Sequence, residues 1–198
     1  MQSRTAFNSL PVVLGVLLFV TGCGRSSAPS PVSLPTQAAV QKDSPFEVTA
    51  TLRELMDSTV DPSADGLWNS VAIIYTPKTT ENRQPRTDEE WLAVRRHAIT
   101  LIEATNLIVM DGRHAAPAGT QSGEGELAPE EIDRRIAANR GVFVQFARTL
   151  REQSLQALQA IDRKDASTLL EVGSTIDEVC EACHVTFWYP NQSTGGIR

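Results

Sequence analysis

The stretch EVCEACHVTFW, residues Glu178–Trp188, decides how the rest of this chain is read. It contains Cys180-x-x-Cys183-His184. On a helix, residues three apart share a face, so both sulfurs can point at one flat object. The imidazole of His184 then lies one turn beyond Cys180, on the same side. Three chemistries use a spacing of this kind. A redox dithiol of the thioredoxin type needs a βαβ setting, and no segment of this chain alternates convincingly with period two. A structural zinc site needs two further Cys or His ligands. Only His97 and His114 remain for that purpose, and their positions do not resemble a second half-site. The third chemistry is covalent haem attachment, of which C-x-x-C-H is the signature. Two thiols add to the two vinyl groups, and the histidine reaches the iron from the same side. With 3 Cys and 3 His in 198 residues, chance supplies such a triplet on the order of 10⁻³ times per chain. The motif is therefore far more specific than a lone CxxC.

Upstream of it, Asp165 caps a helix whose inner face is Leu169, Val172, Gly173, Ile176, Cys180, Cys183 and Phe187, ending before Pro190. A short turn at Asp162–Lys164 joins it to a helix opened by Pro129-Glu130-Glu131. That helix carries the stripe Ile132, Ile136, Phe143, Phe146, Leu150, Ala157 and Ile161, with Gly141 as an expected bend or a point where a neighbour approaches closely. Thr87-Asp88-Glu89-Glu90 is a capping box for another helix. Its face is Trp91, Val94, Ala98, Leu101, Thr105 and Ile108, and it ends near Met110. The first helix is predicted over 45–75, started by Ser44-Pro45-Phe46-Glu47. Val48, Leu52, Leu55, Met56, Thr59 and Val60 keep helical spacing in its first half. Leu67, Trp68, Val71 and Ile74 do so in its second. Between them Asp61-Pro62 predicts a kink or a restart. The connection 76–86 reads as a polar loop containing Pro77 and Pro85, and 113–128, with its glycines and proline, reads as a mobile loop. Four amphipathic helices with one very short connection predict an all-α, antiparallel four-helix bundle, a fold that holds cofactors between facing helices. There is no internal repeat.

The start of the chain reads as an export signal. Arg4 precedes an apolar run from Leu10 to Val20, which is too short to span a bilayer as a mature helix. Val20-Thr21-Gly22-Cys23 resembles a bacterial lipobox, which makes Cys23 the lipidated first residue of the mature protein. An ordinary signal peptide cut near Gly22 or at Ala28 is the alternative. The expected organisation is a signal peptide at 1–22, a Ser-, Pro- and Ala-rich tether at 23–43, a cytochrome domain at 44–190 and a tail at 191–198. Export suits thioether attachment, because the bonds keep haem from being lost to the surroundings. A disulfide between Cys180 and Cys183 would close a tiny loop and add little to a domain of this size. The net charge of −6 argues against nucleic acid or anionic lipid as a partner and suits docking to a basic protein surface. No nucleophile–base pair or second metal site is apparent, so no enzymatic reaction is expected.

An attachment motif at the C-terminus, on the last of four helices, resembles the cytochrome c′ / cytochrome c-556 family of class II c-type cytochromes. Class I members place the motif near their N-terminus. The resemblance covers about Pro45 to Tyr189, and its specific part is Cys180 to His184. It implies one haem c bound to Cys180 and Cys183, with His184 as proximal iron ligand and the first helix facing the other side. Family members with a methionine there are six-coordinate electron carriers; those with an apolar residue are five-coordinate and bind small gases. Met56, between Leu52 and Val60, is the expected distal ligand, set against the commoner role of methionine as core filler. No sixth ligand, Met110 or a histidine are the alternatives. Arg53, one turn before Met56, is either a propionate partner or a solvated arginine. His97 is expected at a surface or boundary, and His114 exposed. Trp68, Trp91, Phe143 and Phe146 are expected in the core or the haem pocket. Four positions after the histidine the family commonly carries a basic residue; here Trp188 stands there, and two long loops also depart from the pattern. The expected function is one-electron transfer at the periplasmic face of a membrane, with redox proteins as partners and a homodimer as one available assembly. The alternative is a five-coordinate protein binding NO or CO. Gly24 after Cys23, in place of an aspartate, leaves both the inner and the outer membrane open as the anchor.

Overall fold

The structure, a computed structural model, describes residues 46–190. The predicted signal peptide, Cys23 with its tether, the Ser44-Pro45 start and the tail 191–198 lie outside the described residues. The described chain is mostly helical, with one small two-stranded sheet.

The first helix starts later than its proline suggested, since Phe46–Ala50 is not helical. Thr51 is the N-cap, and it forms a capping box with Glu54. Glu54 Oε2 accepts from the Thr51 amide at 2.8 Å. The amides of Leu52 and Arg53 donate to the carbonyls of His114 and Ala115 at 2.8 and 2.9 Å. A distant loop thus supplies acceptors that first-turn amides lack within their own helix. Helix α1, Leu52–Leu55, runs into a π-helical turn, Met56–Val60, and then into α2, Asp61–Trp68. The predicted interruption at Asp61-Pro62 is present in this form. Pro62 has no amide hydrogen, and its ring opposes a regular ladder to the preceding turn. The turn before it widens, and the Asp61 amide donates to the Met56 carbonyl five residues back. Leu55 and Val60 are both buried as a result, whereas Thr59 is only half-buried.

The helix predicted to reach Tyr75 ends at Trp68. Ala72–Tyr75 is strand β1, paired antiparallel with β2, Thr80–Arg83, in the register Ala72↔Arg83 to Tyr75↔Thr80. The helical reading of these four residues is corrected here: Ile73, Ile74 and Tyr75 are β-branched and aromatic residues suited to a pleated surface, while the described chain remains mostly helical. Thr76 and Thr79 close the turn between the strands: the Thr76 hydroxyl donates to the Thr79 carbonyl at 2.9 Å.

Helix α3, Asp88–Ile108, has the predicted capping box of Thr87 and Glu90 and buries the predicted stripe from Trp91 to Ile108. The next predicted helix is two: α4, Pro129–Ala138, and α5, Arg140–Asp162. The break falls at Asn139 (φ −126°, ψ 36°), not at Gly141. Asn139 Nδ2 donates to the Arg135 carbonyl at 3.1 Å, a side-chain bond that competes with helix continuation. A left-handed Lys164 (φ 55°) makes the last turn. Asp165 then caps α6, Ala166–Phe187, accepting from the Thr168 amide at 3.0 Å.

These helices touch in a closed circuit: α2 with α3, α3 with α5, α5 with α6, and α6 with α2. Trp68 Nε1 donates to the Gly173 carbonyl at 2.9 Å across the α2–α6 contact. The α2–α3 contact is closer still. A Cβ on Gly66 would lie 2.3 Å from the His97 ring. Alanine in place of a helical glycine ordinarily gains about 1 kcal/mol, but an overpacked contact costs about 1–3 kcal/mol. Gly66→Ala should therefore lower stability in urea unfolding, and the same change in a His97→Ala background should raise it. An unchanged sign between the two backgrounds would show that the ring is not the obstacle.

The loop from 113 to 128, read as mobile, is tied down at several points. The Arg113 guanidinium donates to the carbonyls of Leu107, at 2.8 Å, and Ala50. Asp133 accepts from the Ala115 amide at 2.7 Å and pairs with His114 at 2.9 Å. The Leu127 amide donates to the Trp188 carbonyl at 2.8 Å. The loop therefore arrives beside the C-terminal end of α6.

Candidate cofactor site

Helix α6 turns Cys180, Cys183 and His184 toward a cleft of about 740 Å³, including its solvent-open mouth. From α1–α2 and the π turn between them come Met56, Val60, Asp61, Ala64 and Trp68; from α5, Phe146, Ala147 and Leu150; from α3, Ile108. The cleft lining is mainly apolar, and its acidic groups are Asp61, Asp177 and Glu181. Met56 and His184 also line a second opening on the α1 side, together with Arg53, Asp57, Glu126, Trp188 and Tyr189.

The electrostatics fit neutral ligating groups. Burial pushes the Cys180 thiol up to about 12, with Asp177 and Asp61 adding to the effect. Burial pushes Cys183 up to about 12 as well. The two are not joined in a disulfide. A dithiol exchanger depends on thiolate, which is scarce at neutral pH in thiols raised this far. Burial lowers the pKa of His184, against the opposing pull of Asp61, Glu181 and Glu126. Its imidazole is therefore neutral at pH 7, the form that binds a metal. Asp61 is itself raised, first by burial at the cleft wall, although its outer side meets solvent. Tyr189 Oη donates to Glu181 Oε2 at 2.8 Å, and burial with that bond raises its pKa.

Among the described residues, no group of three or more His, Cys, Asp and Glu is placed to hold a bare metal ion. The donor set instead fits a flat apolar ring carrying its own metal. Two thiols and an imidazole line one wall, a thioether enters from another helix, and the remaining lining is mainly hydrocarbon and aromatic. Cys180, Cys183 and His184 could hold a haem covalently and ligate its iron, and Met56 could supply a sulfur.

The other sequence candidates separate cleanly. Met110 does not line the cleft; its sulfur lies 3.5 Å from an Arg113 nitrogen. His97 packs on Gly66, and His114 is exposed and paired with Asp133. Arg53 reaches the second opening, but there it pairs with Glu126 at 2.7 Å rather than standing solvated. Trp68 and Phe146 line the cleft, whereas Trp91 and Phe143 are buried in the core. Trp188, the departure from the family pattern, sets its ring 5.9 Å from that of His184, edge-on. Sequence reasoning missed Asp61, Asp177, Glu181 and Glu126 as neighbours of the site. Asp177 and Glu181 carried a usable signal, lying three before and one after Cys180 on the same helix; Glu126, in a loop, had none.

Among the described residues no helix is long and apolar enough to cross a membrane. Comparison with protein-family models, with curated proteins and with solved structures finds no match for this chain.

Proposed function

We propose that this chain is a monohaem c-type cytochrome that transfers single electrons at the periplasmic surface of a membrane. It resembles the cytochrome c′ / c-556 class, with α1–α2, α3, α5 and α6 forming an antiparallel four-helix bundle. The observation that carries this reading is the convergence of Cys180, Cys183, His184 and Met56 on one apolar cleft. The haem, when bound, supplies an Fe(III)/Fe(II) couple.

The protein's own groups do the rest. Cys180 and Cys183 hold the ring by thioethers. His184 ligates the iron as a neutral imidazole. Met56 approaches from the facing helix, where a thioether favours ferrous iron and raises the potential. Trp68, Phe146 and Leu150 give the cleft apolar walls that exclude water, and a drier site shifts the potential in the same direction. Arg53, if released from Glu126, is the cation nearest the second opening for a propionate. Cys23 anchors the chain by lipid, and the overall acidity suits a basic redox protein as partner.

Protein matured with haem-attachment machinery should give one covalent haem per chain in a pyridine haemochrome assay, and a reversible one-electron titration. A chain carrying zinc or redox-active thiols and no haem would sink the proposal. Rapid CO binding by the unmutated ferrous protein would replace the carrier by a five-coordinate gas binder.

A further inference from the structure

The π turn occupies Met56–Val60, so the proposed distal ligand is its first residue. Pro62 stands immediately beyond it. On a regular helix each residue advances about 100°, so Leu55 and Val60, five apart, would point about 140° from one another. Both are nevertheless buried, at 4% and 2% exposure. Only a widened turn lets both face the core. The same widening sets the angle at which Met56 enters the cleft beside Val60 and Ala64. Straightening the helix would turn Met56 by about one residue's worth, roughly 100°, relative to that wall. A side chain turned by that amount points out of the cleft.

Pro62 supplies the cause. In a regular helix its missing amide would leave the Ser58 carbonyl without its partner, and its ring would meet that same carbonyl. Placing the proline in the first turn of α2, after a π turn, removes both penalties. Isolated π turns frequently sit at functional sites, and here the turn and the proposed ligand share a residue.

We infer that Pro62 is a positioning residue for Met56: by enforcing the π turn it sets the phase of the thioether, and hence the fraction of iron that carries a sixth ligand. This rests on the reading of Met56 as distal ligand, and the test separates the two. Pro62 is exposed, so Pro62→Ala should fold, with a thermal midpoint below that of the parent, because a straightened turn no longer buries both Leu55 and Val60. Three holoproteins are compared: parent, Met56→Ala and Pro62→Ala. The readouts are the charge-transfer absorption of thioether-ligated ferric haem and the apparent CO affinity of the ferrous form. That affinity scales with the five-coordinate fraction, and Pro62→Ala should tighten it about tenfold or more while weakening the absorption. If Met56→Ala removes the absorption and Pro62→Ala leaves both readouts unchanged, the inference is overturned and the ligand reading stands. If Met56→Ala leaves the absorption intact, the ligand reading falls and this inference with it.

Discussion

Replacing Cys180 and Cys183 together by serine is expected to leave a folded chain from which all haem is removed by acid–acetone extraction. The parent should retain it. Both thiols face the cleft from one side of α6, one helical turn apart. Both are held as neutral thiols by burial, and serine differs from cysteine by one atom. The change therefore removes the bonds without emptying the wall. Each single serine variant should keep one thioether and one unreacted vinyl group, which shifts the reduced haemochrome absorption to longer wavelength. His184 remains in both singles, so ligation from that side persists while covalent attachment is halved. The measurement is a haem stain on a denaturing gel, with the haemochrome spectrum beside it. A double variant that keeps its haem through denaturation would place the attachment elsewhere and overturn the assignment.

The convergence of Cys180, Cys183 and His184 on one cleft was legible because it is local: three residues within five positions of a helix share a direction. Capping was legible for the same reason. Thr87 with Glu90, and Asp165 with Thr168, bond within three residues of each other, and both caps appear where their patterns predict. The first helix was misread at both ends because its limits are set at a distance. Its start depends on carbonyls of His114 and Ala115 in another loop, which make Thr51 the cap in place of Ser44. Its end depends on a partner strand, Thr80–Arg83, whose residues are all exposed and show no alternation to read. The break at Asn139 was hidden because asparagine bends a helix only when its amide finds a carbonyl. Gly141 looked the better candidate, yet a Cβ there would meet nothing within 4 Å. Asp61-Pro62 was recognised as an interruption. Its form, a π turn that keeps the helix continuous, follows from Pro62 together with the need to bury both Leu55 and Val60. That need belongs to packing and is invisible in a run of residue types.

Phe187→Ala should give the largest loss of stability of any substitution near the site, about 3–5 kcal/mol for a fully buried phenylalanine. Phe187 is 1% exposed and lies four residues after Cys183, on the same face of α6. Its ring meets Phe143 edge-on at 5.4 Å and Phe146 at 6.3 Å, with interplanar angles of 88° and 85°. Such pairs add about 0.5–1.5 kcal/mol beyond the area they bury. Phe187 therefore fastens the end of α6 to α5, and Phe146 carries the contact into the cleft wall. Against a typical total stability of about 5–15 kcal/mol, the loss should appear as a large drop in the urea midpoint with little change in slope. Phe187→Leu, which keeps most of the volume, should cost less than about 1.5 kcal/mol plus the lost ring contacts. A cost below about 1 kcal/mol for the alanine would mean that the pocket collapses around the gap, and that the three rings are neighbours rather than a fastening. The apoprotein is the form to measure. A tightly held haem adds its own stabilisation by mass action and is retained through unfolding when covalent. In the apoprotein the ring cluster helps hold the segment from Cys180 to His184 against α5, so loss of Phe187 should also lower the yield of haem attachment during maturation.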